Sequence, residues 1–301
     1  MDDQRLGRGL ALILGGVIVA CSGATSQKSS FPNSTASVET DSVEQSIDSA
    51  SRIVALTSLT ADIVQRLDAR KLVGVPGSAL LRQDSRFEGL TVVSEGRTPP
   101  NLEQIVALEP DLVIGAEGFH DQALQRLTEL EVPTLTIEVN SWGDLQTLTQ
   151  TLADAVNADP DPLLGRFQAC FNQASENSLS ALVLVSREPL LSPNKQSWAG
   201  DFLRQFNFQN LTAELQGQSP FEGYITLSAE KVLESNPEIL ILVDTGEGLI
   251  EQIQADPFWK QLKATQMDRV HVFDYYGLVN PGSIASIEQT CAKLSQISEL
   301  K

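Results

Sequence analysis

Residues 98–120 read TPPNLEQIVALEPDLVIGAEGFH, and this stretch decides the fold. Asn101 is a favourable helix N-cap, Gln104 stands in the capping-box position, and Leu102, Ile105 and Val106 give a short apolar helical face. Pro110 ends the helix, because it has no N–H to donate and its ring disfavours helical backbone in the residue before it. Leu112–Ile114 is an unbroken apolar run of strand length, the pattern of a parallel strand covered on both faces. Gly115–His120 is then the loop at its carboxyl end, where ligands sit in open α/β sheets.

The unit recurs. Shifting the register by 127 residues, the separation of Glu103 and Glu230, superimposes the two stretches without a gap. Asn101 falls on Ser228, Val106 on Leu233, Pro110 on Pro237, Asp111 on Glu238, and Leu112–Ile114 on Ile239–Ile241, while Asp244–Gly248 answers Gly115–His120. Two similar lobes, each a Rossmann-like α/β unit around a mainly parallel sheet, are predicted. The 301-residue chain is long enough for both.

Outward from the repeat, the first lobe takes residues 51–158. Arg52–Leu56 is a strand, and Thr57–Asp62 is a loop and cap leading into a helix with Ile63, Val64 and Leu67 inside. Leu72–Val75 is a second strand, stopped at Pro76-Gly77. Leu80–Pro100 has no periodicity and reads as a long loop beside a ligand cleft, with Arg82, Arg86, Glu95 and Arg97 in it. Helix near Gln122–Leu130, strand at Thr134–Val139 and helix at Trp142–Val156 complete the lobe. Asp159-Pro160-Asp161-Pro162 is a strong helix start, with Asp161 as cap, so residues 159–179 are predicted to form one stiff linker helix that limits hinge opening. The second lobe, residues 180–301, repeats the order. It has strands at Ala181–Val185, Ile239–Val243 and Arg269–Phe273, helices at Trp198–Phe206 and around Val232–Glu234, and a final helix capped by Pro281-Gly282-Ser283.

The N-terminus reads as a targeting segment. Arg5 and Arg8 precede an apolar run, Leu10–Ala20, that is too short to span a bilayer. Ile18-Val19-Ala20-Cys21 is similar to a bacterial lipoprotein signal, which implies lipidation at Cys21 and places residues 1–21 in the signal. Residues 22–50 are Ser/Thr-rich with little apolar content, a tether whose ends as a flexible coil lie roughly 30 Å apart.

A formal charge of -18 argues against nucleic acid or an anionic membrane as the main partner and favours docking to a basic surface. Cys170 and Cys291 each sit on an apolar helical face, so a disulfide and two buried small hydrophobes are both open readings.

Enzyme signatures are largely missing: there is no GxSxG, GxGxxG, P-loop or HExxH, and the chain has two histidines. His271 alternates with Val270 and Val272 in a predicted strand and reads as structural. His120 stands beside Glu117 and Asp121 at a strand's carboxyl end, where haem or metal ligation is conceivable. Several histidines are not available for a transition-metal site. No resident metal or cofactor is expected.

SRIVALTSLTADIV (51–64), LVGVPGS (72–78), NLEQIVALEPDLVIG (101–115), LSAEKVLESNPEILIL (227–242) and MDRVHVFD (267–274) together resemble the periplasmic binding proteins for ferric siderophores, cobalamin and haem. The resemblance implies two Rossmann-like lobes joined by one long helix, a ligand in the cleft, and delivery to an ABC permease dimer in the inner membrane. It also implies that Glu103 and Glu230 pair with arginines on the permease subunits, although a carboxylate in a first helical turn is favourable by about 0.3–1 kcal/mol from the helix dipole alone. The family's Gly-Gly turn before an asparagine is replaced here by Phe206-Asn207-Phe208, where Asn207 can take the left-handed conformation.

The expected function is therefore a monomeric, lipid-anchored, non-enzymatic solute-binding protein at the periplasmic face of the inner membrane, carrying a ferric siderophore. Cobalamin or haem is the alternative cargo, with His120 or Tyr275 as axial ligand. An envelope metalloenzyme or chelatase using His120, Glu117 and Asp244 is the alternative from another class. Candidate ligand contacts are Ser58, Arg97, Phe119 and Trp142 in the first lobe and Arg187, Trp198, Tyr224, Tyr275 and Tyr276 in the second. Arg97 would pair with anionic oxygens, and the aromatic rings would cover an organic face.

Overall fold

The computed structural model describes residues 49–299 apart from 96–97, 173–177, 218, 220 and 247. Lipidation at Cys21, the tether up to residue 48, and the contact assigned to Arg97 lie outside the described residues.

In the first lobe, β1 (Ile53–Ala55), α1 (Ser58–Asp68), β2 (Leu72–Gly77), α2 (Ala79–Arg82), β3 (Thr91–Glu95), α3 (Leu102–Ala107), β4 (Leu112–Ala116), α4 (Asp121–Glu129), β5 (Thr134–Ile137) and α5 (Trp142–Val156) follow one another. Their strands form a fully parallel sheet in the order β3-β2-β1-β4-β5. The segment read as an aperiodic loop, 80–100, contains α2 and the edge strand β3. Its pattern was too short and too polar on one face to show, because β3 pairs on one side only and just Val93 is fully buried.

After the linker helix α6 (Asp161–Ala169), the second lobe is built from β6 (Ser180–Leu184), β7 (Ser186–Arg187), β8 (Leu190–Pro193), α7 (Trp198–Gln205), β9 (Gln209–Asn210), β10 (Tyr224–Leu227), α8 (Ala229–Ser235), β11 (Ile239–Asp244), α9 (Leu249–Gln254), α10 (Lys263–Gln266), β12 (Val270–Asp274), the single turn α11 (Tyr275–Leu278) and α12 (Ile284–Ser298). Strands β12-β11-β6-β9 form a second parallel sheet, and β10-β8-β7 form a small antiparallel one that the sequence reading did not foresee. The linker differs as well. Its helix covers Asp161–Ala169, and Cys170–Asn172 is already a turn, so no single helix reaches from 159 to 179.

The duplication holds residue by residue. Val113 pairs with Thr134 as Leu240 pairs with Val270, and Leu112 pairs with Ile53 as Ile239 pairs with Ala181. Asn101 and Ser228 cap α3 and α8 by accepting from the N–H of Gln104 and Lys231. Each helix is followed by a left-handed residue, Glu109 at φ 47° and Asn236 at φ 36°. The acids after the prolines do the same work: Asp111 accepts from the N–H groups of Ser51 and Arg52, and Glu238 accepts from that of Ser180. Each acid thus ties the start of its lobe's first strand to the start of its repeated strand.

Both sheets are buried on two faces, as their continuous apolar runs require. The outward-facing residues Val54, Val113 and Ile105 in one lobe and Leu182, Leu240 and Val232 in the other belong to separate clusters. The inward-facing Ile53, Leu112, Ile114, Ala181, Ile239 and Ile241 share one core with α1, α5, α6, α7 and α12.

Three polar or covalent links cross that shared core. Cys170 and Cys291 form a disulfide, which settles the open reading of the two cysteines. Arg166 of α6 binds Glu288 of α12 through two hydrogen bonds of 2.7 Å. The wholly buried Asp62 of α1 receives Arg66, Arg86 and the backbone N–H of Ile284 at the start of α12. A buried carboxylate is tolerable only when so surrounded.

Candidate ligand site and docking surface

A helix that leads into a parallel strand and packs beside it runs opposite to that strand. The starts of α3 and α8 therefore lie at the carboxyl edges of the two sheets. Glu103 and Glu230 occupy the first turns there and are both exposed. Neither forms an ion pair with a described residue.

At the carboxyl edge of the second sheet, the chain leaves β6, turns through the β7–β8 hairpin and returns at Asn194–Ser197 to begin α7. Asn194 holds the turn: its side chain accepts from Gln196 N–H at 2.9 Å, and its backbone N–H donates to Gly223 O at 2.8 Å. Ser197 Oγ donates to Asn194 O and accepts from Gly200 N–H, capping α7. Gly200 is obligatory here, since a Cβ would come within 1.8 Å of Asn194 O. This turn and the described residues between Gln216 and Tyr224 border an open depression of about 430 Å³, lined by Asn194, Gln196, Gln216, Ser219, Phe221, Glu222 and Tyr224. Amides, hydroxyls and one carboxylate face it, Phe221 stands at 58% exposure, and no described cation lines it. Burial pushes the Tyr224 hydroxyl pKa up, with the neighbouring Tyr275 a smaller cause, so the phenol remains a neutral donor.

Of the predicted ligand contacts that are described, Tyr224 alone lines this depression. Tyr275 follows the end of β12 at the same edge, and its ring packs on Tyr276 at 5.4 Å and 78°. Ser58 opens α1, half-buried, at the carboxyl end of β1, and Phe119 projects at 87% exposure from the turn after β4. Trp142 and Trp198 are corrected. They are 5% and 3% exposed and stacked at 5.7 Å inside the shared core, and Trp198 Nε1 donates to Gly277 O. Their aromatic area went to core packing rather than to a pocket wall, because each opens an amphipathic helix facing the other lobe. Arg187 is occupied by Asp256 and Glu188. His120 is half-buried, and its Nδ1 accepts from Ala116 N–H; desolvation lowers its pKa. Among the described residues, no three His, Cys, Asp or Glu side chains gather as metal ligands, so His120, Glu117 and Asp244 are not assembled into a site.

Sequence reasoning missed Asn194, Gln196, Gln216, Ser219 and Phe221. The available signal was the run Gln216–Gly223, polar and Gly/Pro-containing, placed just before a short alternating strand.

Known proteins are similar to this chain in sequence or in fold. The molybdate-binding protein MolA of Haemophilus influenzae is 21% identical, over 84% of this chain and 83% of its own. A vitamin B12-binding protein of Salmonella typhi is 25% identical, over 74% of this chain and 80% of its own. The crystal structure of a possible iron-binding, periplasmic solute-binding protein from Staphylococcus epidermidis superimposes with a TM-score of 0.70 at 17% identity, covering 84% of this chain and all 100% of that one. A family model described as periplasmic binding protein matches residues 53–275. With two parallel-sheet lobes, a polar depression at a carboxyl edge and that match across most of its length, the chain belongs to the periplasmic binding protein family.

Proposed function

We propose that this protein captures an iron chelate outside the cytoplasm and hands it to the membrane permease of an ABC importer, anchored to the membrane through Cys21. The observation that carries the reading is the matched pair of exposed acids, Glu103 and Glu230, at the same position of two duplicated units. A permease made of two similar subunits offers two similar cationic positions, and duplicated lobes meet them with duplicated carboxylates. Transport also suits the site, which offers hydrogen-bond partners and an exposed ring.

A second reading of the cargo is favoured by the depression itself. Its uncharged amides and hydroxyls, with Glu222 the sole charge among the described lining residues, suit an amide-bearing corrinoid better than a polyanionic chelate.

Two measurements test these readings. Mass spectrometry of the ligand co-purified from an iron-limited native host should show a ferric chelate; a corrinoid would shift the assignment to the second reading. Glu103→Lys combined with Glu230→Lys should abolish uptake of that ligand by cells while leaving its affinity for the purified protein intact. Unchanged uptake would refute docking through these acids.

A further inference from the structure

The two docking tips are duplicated in backbone but not in surface. Beside Glu103 lies a groove of about 440 Å³ lined by Leu102, Val106, Ala107 and Leu130. Val106 is 40% exposed and Leu130, just past α4, 58%. The corresponding tip of the second lobe replaces Leu102 by Ala229 and Ala107 by Glu234, and packs Leu233 against its own core. There the surface carries an ion pair, Lys231 Nζ to Glu234 at 2.6 Å.

We infer that the groove seats an apolar side chain of a permease subunit next to the cation that Glu103 receives, so that the first lobe carries most of the docking affinity and the second lobe contributes charge alone. This rests on the permease-docking reading above. Charge selects the occupant. A second copy of a chain with formal charge -18 would bring carboxylate against carboxylate, and an anionic lipid surface would be repelled in the same way. A partner with a cation one side-chain length from an apolar residue satisfies both Glu103 and the exposed Val106 and Leu130.

The test places a photoreactive p-benzoylphenylalanine at Ala107 or at Glu234, equivalent exposed positions on the two tips, in the full chain expressed in its native host. Irradiation should give an adduct with an ABC importer's membrane subunit, identified by its peptides, several-fold more from Ala107 than from Glu234. Adding Val106→Glu and Leu130→Glu should lower the Ala107 yield by about tenfold or more, with circular dichroism unchanged, since an acid in an apolar seat costs hot-spot contacts. Equal yields from the two positions, persistence of the adduct in the acidic variant, or adducts with a second copy or with lipid would overturn the asymmetry. Failure of the docking reading is distinguishable: it would show as no membrane-subunit adduct from either position together with normal uptake in the Glu103→Lys, Glu230→Lys protein.

Discussion

The units Asn101–Ala116 and Ser228–Val243 differ at most positions of their exposed faces and agree at every position that sets the backbone. Cap, acid, left-handed residue and strand register correspond, although Asn is exchanged for Ser, Asp for Glu and Glu for Asn. The exchanges keep the physical role: a short polar acceptor at the cap, a carboxylate aimed at backbone N–H groups, and a residue standing at positive φ. What was free to diverge was the outside of each helix, apolar beside Glu103 and ion-paired beside Glu230.

The frame shared by the two lobes ends at the linker, and the largest effect should come from the disulfide that ties the end of α6 to α12 of the second lobe. Replacing Cys170 and Cys291 by Ser opens a link spanning 121 residues, and loop-closure entropy predicts a loss of about 5 kcal/mol. The urea midpoint should fall accordingly; an unchanged midpoint would deny the bridge its role. Next come the equivalent buried positions Ile105 and Val232, each facing its lobe's outer cluster. Ile105→Ala should cost about 3 kcal/mol and Val232→Ala about 2, additive in the double variant because separate clusters do not couple. Strong non-additivity would break the picture of two independent outer cores.

The caps are a finer comparison. Asn101→Ala and Ser228→Ala should each lower stability by about 1 kcal/mol, and equal values would confirm that the exchange of Asn for Ser is neutral. The smallest effect concerns the paired acids. The Lys263 ammonium and the N–H of Ser180 hold Glu238 below its ordinary pKa of 4.5. A depressed carboxylate stabilises above its unfolded pKa and loses that contribution as pH falls through the folded one. Glu238→Gln should therefore flatten stability below about pH 4.5 by a few tenths of a kcal/mol, given partial solvent screening. A steeper acid dependence in the variant would reverse that sign.

Much of the frame was legible in the chain. Unbroken apolar runs at Leu112–Ile114 and Ile239–Val243 foretold strands covered on two faces, and Asn207 does take φ 61° where a glycine turn was missing. Helix Trp142–Val156 has the bounds its periodicity indicated. The site was less legible. A tryptophan at a helix start has the same sequence signature whether it faces a ligand or a neighbouring lobe, and only tertiary packing sent Trp142 and Trp198 inward. Likewise β7, β8 and β10 are only two to four residues long, and β10 pairs with β8 across 31 to 37 residues, so no local period announces them. The polar depression hangs from those very strands.

That small antiparallel sheet has a practical meaning. It interrupts the duplicated frame between β6 and α8, and the turn that leaves β8 and the loop that enters β10 line the depression while α7 between them stays in the shared core. Exchanging only the loop 213–223 between family members leaves α7 and β9 in place, so a change in what the variant binds would be traceable to that loop alone.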